Sequence, residues 1–236
     1  THLHVFDTRD VAFGDDDVLQ ENIIFRAERD QKQNGTVVVE WSGAGDAADV
    51  SRREVPFTDV VRSDDSDAFI HIAPDDWGAR VAEMVRALEG TLPELGLQVS
   101  TGRVVDFRVQ QYLRANPGDD TAPLIYPTHM AAGRIRWPKP ESKKPNAIVR
   151  TGAIEDQLCI TGTYVLVKRF SSKEERRRLV AAIFTPDAAE GEVVGFENHL
   201  NYFHARGRGI SRRLAPGLTA FLNSTLVDTY FRQFNG

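Results

Sequence analysis

Short stretches of alternating hydrophobic and polar residues dominate the first third of the chain. Such alternation predicts β-strands with one buried face, and turn-forming Gly, Asn and Asp residues separate the stretches. The pattern predicts five strands, over residues 2–6, 22–27, 36–41, 54–61 and 68–73. The small, polar residues 43–53 predict a loop between the third and fourth strands.

A helical period follows these strands. Asp75 or Asp76 is a typical N-cap for a helix from Trp77 to about residue 89, and Gly90 is a typical helix end. The apolar side chains of this helix share one face at helical spacing, namely Trp77, Val81, Met84, Val85 and Leu88. We interpret residues 74–95 as a connector between two domains.

The remainder of the chain mixes strand and helix patterns. Strands are predicted over residues 96–109, 123–127 and 158–170. Ser171–Glu174 has the form of a capping box, which predicts a helix from there to about Phe184. Pro216 predicts the start of a closing helix that extends to about Phe234. Residues 133–145 contain three prolines and five basic residues, which predicts an exposed basic loop.

Composition is that of an ordinary globular protein. The 236 residues are 41% hydrophobic and 27% charged, which excludes disorder over the whole chain. No apolar run approaches the length of a membrane span, so no membrane partner is expected. The single cysteine, Cys159, excludes an internal disulfide and a cysteine-based zinc site, and it is typical of a reducing cytoplasmic setting.

Charge divides the chain into an acidic and a basic part. Residues 1–100 carry 9 basic and 21 acidic side chains, whereas residues 101–236 carry 20 basic and 13 acidic ones. Asymmetry of this size predicts a polyanionic partner for the second part. Two solvated faces of opposite sign remain the alternative interpretation.

Several candidate chemistries receive little support from their surroundings. Residues 42–46 contain two glycines after a strand, but no amphipathic helix follows to hold a nucleotide phosphate. The pairs His2/His4 and His199/His204 lack the carboxylates or cysteines of a metal site, so core or surface histidines are expected. No Gly-x-Ser-x-Gly elbow exists, and Cys159 lies in an apolar strand that predicts a packed thiol.

The basic residues of the second part form two groups that suit duplex DNA. Lys168 and Arg169 precede the predicted helix, whose N-terminus could itself bind phosphate, while further cations share one of its faces. A second group occupies a Gly-rich loop around residues 206–213, close to Tyr202, Phe203 and His204. The predicted DNA-binding residues are Arg134, Arg136, Lys143, Lys144, Lys168, Arg169, Lys173, Arg176, Arg177, Arg206, Arg208 and Arg212.

Several segments resemble adenine-N6 DNA methyltransferases of restriction–modification systems. Residues 6–25 resemble the tail of the catalytic domain in these enzymes. Five further segments resemble the target-recognition region of the same enzymes, at residues 99–108, 122–129, 164–178, 197–201 and 217–224. The most specific matches are the Lys-Arg-Phe-Ser-Ser-Lys-Glu-Glu-Arg-Arg-Arg stretch at 168–178 and the Leu-Asn-Ser helix that ends at 224. The resemblance covers nearly the whole chain.

The sequence departs from this family in two motifs. It contains neither the Phe-x-Gly-x-Gly loop that binds the methyl donor nor the catalytic Asn-Pro-Pro-Tyr, since none of its 11 prolines is adjacent to another. The chain also begins with Thr1 inside a strand pattern and stops at Gly236 just after a helical one. We therefore expect a piece of a longer protein, with both motifs in a catalytic domain upstream of Thr1.

The resemblance implies a fold, a partner and a cofactor. The expected fold class is an α/β remnant of a methyltransferase sheet followed by an α+β DNA target-recognition domain. The expected division is residues 1–73 for the last catalytic strands with an acidic extension, 74–95 for the connector helix and 96–236 for target recognition. Double-stranded DNA and the upstream catalytic domain are the expected partners, and a cognate restriction endonuclease is linked only by functional pairing.

The resemblance leaves the chemistry itself outside this chain. S-adenosylmethionine (SAM) is implied for the parent enzyme, whereas no cofactor, metal or catalytic residue is expected here. Phe13 is the best match to the aromatic residue that stacks on the flipped adenine in this family, although a core phenylalanine is the alternative.

Two other classes of protein remain open at this point. The chain could be a freestanding specificity subunit that recruits a separate methyltransferase. It could instead be a metal-dependent nuclease, for which the basic half offers only Glu155, Asp156, Glu197 and Lys168 as candidates.

Overall fold

The chain forms two compact units. A computed structural model describes residues 1–6, 22–29, 35–43, 50–172 and 174–235. The first unit consists of Thr1–Ala82 together with the residues from Arg232 onward, and the second unit is Glu83–Phe231. Within the described ranges, no helix combines the length and the apolar character that crossing a membrane requires.

The first unit is built on a four-stranded sheet with the order β2-β1-β3-β4. Its strands are β1 (His2–Phe6), β2 (Ile23–Arg26), β3 (Thr36–Ser42) and β4 (Val50–Pro56). β1 pairs in parallel with β3, while β2 and β4 are antiparallel edge strands. Alternation along β3 buries Val37, Val39 and Trp41, which pack with Leu3 and Val60. The first three predicted strands are therefore confirmed.

Of the other two predicted strands, the one over residues 54–61 is correct only as far as Pro56, and the one over residues 68–73 is wrong. The chain leaves β4 at Pro56 and forms a single helical turn, α1 (Phe57–Val60), where a strand was expected. Residues 68–73 contribute only an isolated bridge between Val61 and Ile70. The predicted loop at 43–53 also includes the first half of β4. A short apolar run does not by itself determine whether its residues form a strand or a helix. Tertiary contacts decide this instead.

Helix α2 (Asp76–Arg86) begins where the sequence predicts. Asp75 caps it, since the Asp75 Oδ1 accepts a 2.7 Å hydrogen bond from the backbone N of Gly78. The predicted apolar face is only partly correct. Its buried residues include the small Gly78 and Ala82, whereas the side chains of Trp77, Met84 and Leu88 are about half exposed.

Residues 232–235 complete the first unit. The side chain of Gln233 is buried and its Nε2 donates a 2.7 Å hydrogen bond to the carbonyl of Gly78. The backbone carbonyl of Gln233 accepts a hydrogen bond from the backbone N of Ile72. The Phe234 ring packs against Phe69 and His71, at centroid distances of 5.3 and 5.4 Å. A segment from the far end of the sequence therefore forms part of this unit's core.

The second unit contains two mixed sheets and most of the regular structure. The six-stranded sheet has the order β5-β15-β12-β13-β9-β8, and the five-stranded sheet has the order β11-β14-β7-β10-β6. The strands are β5 (Gln98–Thr101), β6 (Leu113–Arg114), β7 (Thr121–Ile125), β8 (Met130–Ala131), β9 (Arg134–Ile135), β10 (Ala147–Val149), β11 (Leu158–Ile160), β12 (Tyr164–Lys168), β13 (Ala181–Phe184), β14 (Val193–Phe196) and β15 (Leu200–His204). The helices α3 (Leu214–Leu222) and α4 (Thr225–Asn235) follow.

Strand β12 lies at the centre of the second unit and is buried on both faces. Leu166 faces a core shared with Phe196 and Ile125 of the other sheet, so the two sheets pack face to face. Val165 faces the opposite side, where α3 contributes Ala215 among others. Cys159 is buried in the first of these cores, as predicted for a packed thiol, and burial raises the pKa of its thiol.

The predicted helix over residues 171–184 is wrong. Residues 181–184 form β13, which pairs antiparallel with β12. A short apolar run suits either a helix or a buried strand, and here the edge of β12 supplies hydrogen-bonding partners. The Ser171 hydroxyl donates to the carbonyl of Arg178 and closes the hairpin loop at its base. The phosphate site predicted at a helix N-terminus is therefore wrong as well.

The predicted closing helix consists of two shorter helices. α3 begins at Leu214, two residues before Pro216, and the chain breaks at Asn223 before α4 starts. The Asn223 side chain accepts a hydrogen bond from the backbone N of Ala181 and donates one to its carbonyl, so it ties the break to β13. The Ser224 hydroxyl accepts from the backbone N of Val227 and caps α4.

A buried polar network fixes the basic loop that precedes β10. The ring of His129 is fully buried, and its Nδ1 accepts a hydrogen bond from the backbone N of Tyr126 at 2.9 Å. Its Nε2 lies 3.1 Å from the Asn146 Oδ1, so the neutral ring carries its proton on Nε2. Asn146 also accepts from the backbone N of Lys139 and donates to the carbonyl of Ala115. These contacts close the loop that carries Lys143 and Lys144.

Two buried histidines, His129 of this network and His204 at the end of β15, predict that the free energy of unfolding decreases in mild acid. Burial lowers the pKa of His129 from its ordinary value of 6.5, and burial lowers the pKa of His204 in the same direction. The unfolded chain therefore binds protons first, so the contribution is complete above pH 6.5 and is lost as the pH falls towards the lowered values. Urea denaturation at about pH 7.5 and about pH 5.5 should give a lower free energy of unfolding in acid.

The matched variant for this experiment is His129→Gln, which removes one titrating group. We expect it to reduce the pH dependence without abolishing it, because His204 remains. An unchanged difference between the two pH values would show that His129 does not contribute.

Candidate nucleic-acid interface

The turn between β14 and β15 joins a buried carboxylate to an exposed imidazole. The side chain of Glu197 is only 1% exposed, whereas that of His199 is 52% exposed. The Glu197 Oε1 lies 2.5 Å from the His199 Nδ1, and the Oε2 accepts a 3.0 Å hydrogen bond from the backbone N of His199. Both carboxylate oxygens therefore hold the same residue.

The hairpin loop between β12 and β13 reaches this turn. The backbone N of Arg169 donates a 2.8 Å hydrogen bond to the carbonyl of His199. The exposed Phe170 ring contacts the His199 ring edge-on at a centroid distance of 5.5 Å, and the Arg169 guanidinium lies 4.9 Å from the Phe170 centroid. Further along the loop, Arg176 is exposed and Arg177 is half-buried. The turn and the loop thus present cations beside an aromatic ring.

A third segment adds to the same surface. The Lys144 Nζ lies 2.9 Å from the Asp106 Oδ2, and this contact holds the pKa of the Asp106 carboxyl below its usual range. The backbone N of Asn198 in the turn donates a 2.9 Å hydrogen bond to the carbonyl of Val104, so the segment that carries Asp106 lies against the turn. Next to Asp106, Phe107 is 65% exposed, with the Arg108 guanidinium 5.6 Å from its ring centre.

We name these residues the turn cluster. Each is exposed or partly exposed. Seven of them are connected to the β14–β15 turn by the contacts above or adjoin a residue that is, and Arg176 and Arg177 are the further cations of the β12–β13 loop. Its members are Phe107, Lys143, Lys144, Lys168, Arg169, Phe170, Arg176, Arg177 and His199.

A second basic group follows the other end of β15. Ala205 and Arg208 form a bridge that closes a two-residue turn, with φ values of 51° at Arg206 and 78° at Gly207. This left-handed backbone is unfavourable for a bulky residue such as arginine. His204 supports the turn, because its Nδ1 accepts a 2.9 Å hydrogen bond from the backbone N of Gly207 and its Nε2 lies 2.8 Å from the Ser100 hydroxyl.

We name the cations on this side of the sheet the hairpin cluster. Arg212 forms an ion pair with Asp187 at 3.1 Å. Arg134 pairs in register with Ile183, near the end of β13 that adjoins Tyr164. The cluster comprises Arg134, Arg136, Arg206, Arg208 and Arg212.

The structure separates the predicted DNA-binding residues into these two clusters. The hairpin cluster adjoins Thr163, whose carbonyl accepts from Ile210, while the turn cluster includes Arg169 at the other end of β12. At about 3.4 Å per residue along the extended chain, Thr163 and Arg169 are about 20 Å apart. Of the remaining predicted site residues, Phe13 and Lys173 lie outside the described residues, as do most of residues 42–46.

The residues considered for a nuclease are not brought together. Both oxygens of Glu197 contact His199, and the Lys168 Nζ pairs with the Glu175 Oε2 at 3.0 Å. Glu155 and Asp156 lie on a short exposed turn of 3₁₀-helix. Within the described part of the chain, no group of three or more His, Cys, Asp or Glu side chains could hold a metal ion. His2 and His4 both contact Glu40 in the first unit.

Comparison with known proteins identifies relatives along almost the whole chain. No protein-family model matches it. The chain is 44% identical over 234 residues to the type II methyltransferase M.PstI of Providencia stuartii, and 46% identical over 235 residues to the type II methyltransferase M.BsuBI of Bacillus subtilis. These alignments cover 99% and 100% of this chain.

The chain is therefore similar to these two type II methyltransferases over nearly its whole length. It spans 46% of the length of each of these two relatives, so about half of each relative has no counterpart here. The resemblance inferred from the motifs is thereby confirmed at the level of type II methyltransferases.

Sequence reasoning missed one central residue of the turn cluster. His199 was grouped with His204 as a core or surface histidine, yet it stands between the two loops of the turn cluster. The available signal was the Glu-Asn-His order at 197–199, which puts a carboxylate two residues before an imidazole in a turn. That order does not reveal that Glu197 is buried, because its burial depends on distant residues such as Ile125, whose carbonyl accepts from the Glu197 backbone N.

Proposed function

We propose that the chain is the target-recognition part of a SAM-dependent DNA methyltransferase that modifies adenine at N6 in a restriction–modification system. The alignment carries this proposal, since 44–46% identity extends over nearly all of this chain but over 46% of each type II methyltransferase. The rest of the parent enzyme would then carry the catalytic domain. A cognate restriction endonuclease would be connected to it only through a shared target sequence.

The residues of this chain do not fit a SAM site. The sequence contains no Phe-x-Gly-x-Gly loop and no Asn-Pro-Pro-Tyr motif. We therefore assign SAM and the methyl transfer to the proposed upstream domain, and we derive no catalytic step from the residues described here. The role of this chain is to hold and read the duplex.

Strand β2 supports the presence of a neighbouring catalytic domain. Among the described residues it is an edge strand of the first unit's sheet, and its Ile23, Ile24 and Phe25 side chains are all more than half exposed. Consecutive exposed apolar residues on an open edge are an aggregation hazard in an isolated domain. We propose that the catalytic domain covers them, with the first unit as the α/β remnant of its sheet and the second as an α+β recognition domain.

The turn cluster supplies the groups that duplex recognition requires. Methylation of the adenine amino group needs the base to leave the stack, so the surrounding duplex must be held firmly. Arg and Lys contacts to phosphates set the register, and contacts to base edges set the sequence. The turn cluster combines cations with exposed Phe107, Phe170 and His199, whereas the hairpin cluster consists of arginines alone.

The decisive experiment identifies the methylated base. The full-length protein, incubated with SAM and plasmid DNA, is expected to produce N6-methyladenine, which mass spectrometry of the digested nucleosides would detect. The 236-residue chain alone should bind a fluorescent duplex with salt-dependent affinity but should transfer no methyl group. This result would distinguish a recognition part from a complete enzyme.

Two outcomes would contradict the proposal. A methylated cytosine as the only product would remove the assignment to adenine. Duplex binding that is absent even at low ionic strength would remove the role in target recognition, because phosphate contacts make binding stronger as salt decreases.

A further inference from the structure

The Glu197 carboxylate is buried, yet both of its hydrogen bonds are to a single exposed residue, His199. Moving a carboxylate out of water is unfavourable unless hydrogen bonds and charge compensate it. Both contacts of the Glu197 carboxylate, at 2.5 and 3.0 Å, are to the ring and the backbone of His199. The arrangement therefore fixes the position of an imidazole that is itself half exposed.

The same contacts fix which nitrogen of His199 is available. With its Nδ1 proton directed at Glu197, the neutral ring leaves Nε2 as a hydrogen-bond acceptor on its opposite edge. Among the described residues, none bonds to this Nε2. The orientation is reinforced by the backbone N of Arg169 and by the Phe170 ring. An exposed, oriented acceptor stands beside an aromatic side chain and an arginine.

We propose that His199 reads a base edge in the DNA target and that Glu197 is its positioning residue. This inference rests on the proposed role of the chain in target recognition. In its neutral form, the Nε2 of His199 would accept a hydrogen bond from an exocyclic amino group, either N6 of adenine or N4 of cytosine, in the major groove. Arg169 would bind the adjacent phosphate and set the register.

Acid should change what His199 reads. A protonated ring donates from Nε2 and can no longer accept from an amino group. The charged groups around His199 are Glu197 in its own turn and Arg169, whose guanidinium donates to the carbonyl of Asn198 at 3.3 Å. Asp106 and its partner Lys144 belong to the segment that is hydrogen-bonded to this turn through Val104. Discrimination by the unaltered protein should therefore weaken as the ring becomes protonated.

The test measures discrimination separately from overall affinity. Selection from a library of duplexes with a randomised core gives the preferred site of the unaltered protein. Dissociation constants are then measured for that duplex and for duplexes with each base pair changed in turn. We expect His199→Ala to lose about tenfold discrimination at one position and to bind unrelated duplex as tightly as the unaltered protein.

Two further variants separate reading from folding. The Glu197→Gln variant retains only one side-chain oxygen, so it cannot accept hydrogen bonds at two oxygens from the Nδ1 and the backbone N of His199. This variant should therefore reduce discrimination at the same base pair, and the pH dependence of that discrimination should become flatter. His2→Ala is the matched control, because His2 is also paired with a glutamate, at 2.9 Å from Glu40 in the first unit. It should leave the preferred site unchanged.

Clear results would overturn the inference. One is His199→Ala with unaltered discrimination at every position, and another is an equal loss of affinity for all duplexes. A pH profile that Glu197→Gln leaves unchanged would remove the positioning role. If the unaltered protein itself binds no duplex, the proposed function fails first, and that outcome is distinct from these.

Discussion

Replacing Gly102 with alanine is expected to lower the free energy of unfolding of the second unit by about 3 kcal/mol. A Cβ at this position would overlap the carbonyl oxygen of Glu197 and would lie 2.6 Å from that of Phe196. Both neighbours are backbone atoms, and the backbone N of Gly102 already donates to the carbonyl of Leu200 at 2.8 Å. The segment cannot move aside without breaking this connection.

The measurement is thermal unfolding of the variant beside its control. A loss of about 3 kcal/mol corresponds to a fall of roughly 6–12 °C in melting temperature for a domain of this size. Gly217→Ala is the control, because Gly217 lies in α3 and an added methyl group there would have no atom within 4 Å. That change should stabilise the protein by about 0.5–1 kcal/mol, since alanine favours a helix over glycine. Equal melting temperatures for the two variants would contradict the close approach at Gly102.

Removing four cations from the turn cluster is expected to weaken duplex binding on the order of 10³-fold at physiological salt. The variant changes Lys143, Arg169, Arg176 and Arg177 to alanine. Each phosphate contact contributes about 0.9 to the slope of log affinity against log salt, which amounts to roughly fivefold at about 0.15 M. If all four side chains touch phosphates, the slope should also decrease by about 3.6.

The hairpin cluster supplies a control with the same change in net charge. Arg134, Arg136, Arg206 and Arg208 are exposed and lie towards the opposite end of β12. Their replacement by alanine should have a much smaller effect if the duplex binds at the turn cluster. Fluorescence anisotropy over a series of salt concentrations measures both quantities. An equal loss in the two variants would mean that the duplex contacts both clusters.

Local patterns predicted the parts of the fold that depend on neighbouring residues. Alternation located β1 and β3, and Asp75 predicted the start of α2, because a side-chain cap and a two-residue period act over short distances. The apolar run at 181–184 was wrongly assigned to a helix, since the strand pairing with β12 that decides it is a tertiary contact. The apolar character of residues 181–184 correctly indicated that they are largely buried, but it did not determine whether they form a helix or a strand.

The sequence predicted which basic residues belong to the candidate site, but it did not predict how they are arranged on the surface. The sequence identified the basic residues, and the family resemblance predicted DNA as their partner. It could not separate Arg169 from Arg206, because strand pairing puts them near opposite ends of one sheet. It also missed His199, whose orientation depends on a glutamate that is buried only when β7 and β14 pair.

The contact between Gly78 and Gln233 has a consequence for biosynthesis. The two residues are separated by 155 positions, yet the hydrogen bond between them belongs to the first unit. A ribosome releases β1, β3 and α2 long before it releases Gln233 and Phe234. Closing so long a loop is slow, and partly formed cores are exposed meanwhile. The first unit is thus begun early in translation and finished only after the second has been synthesised.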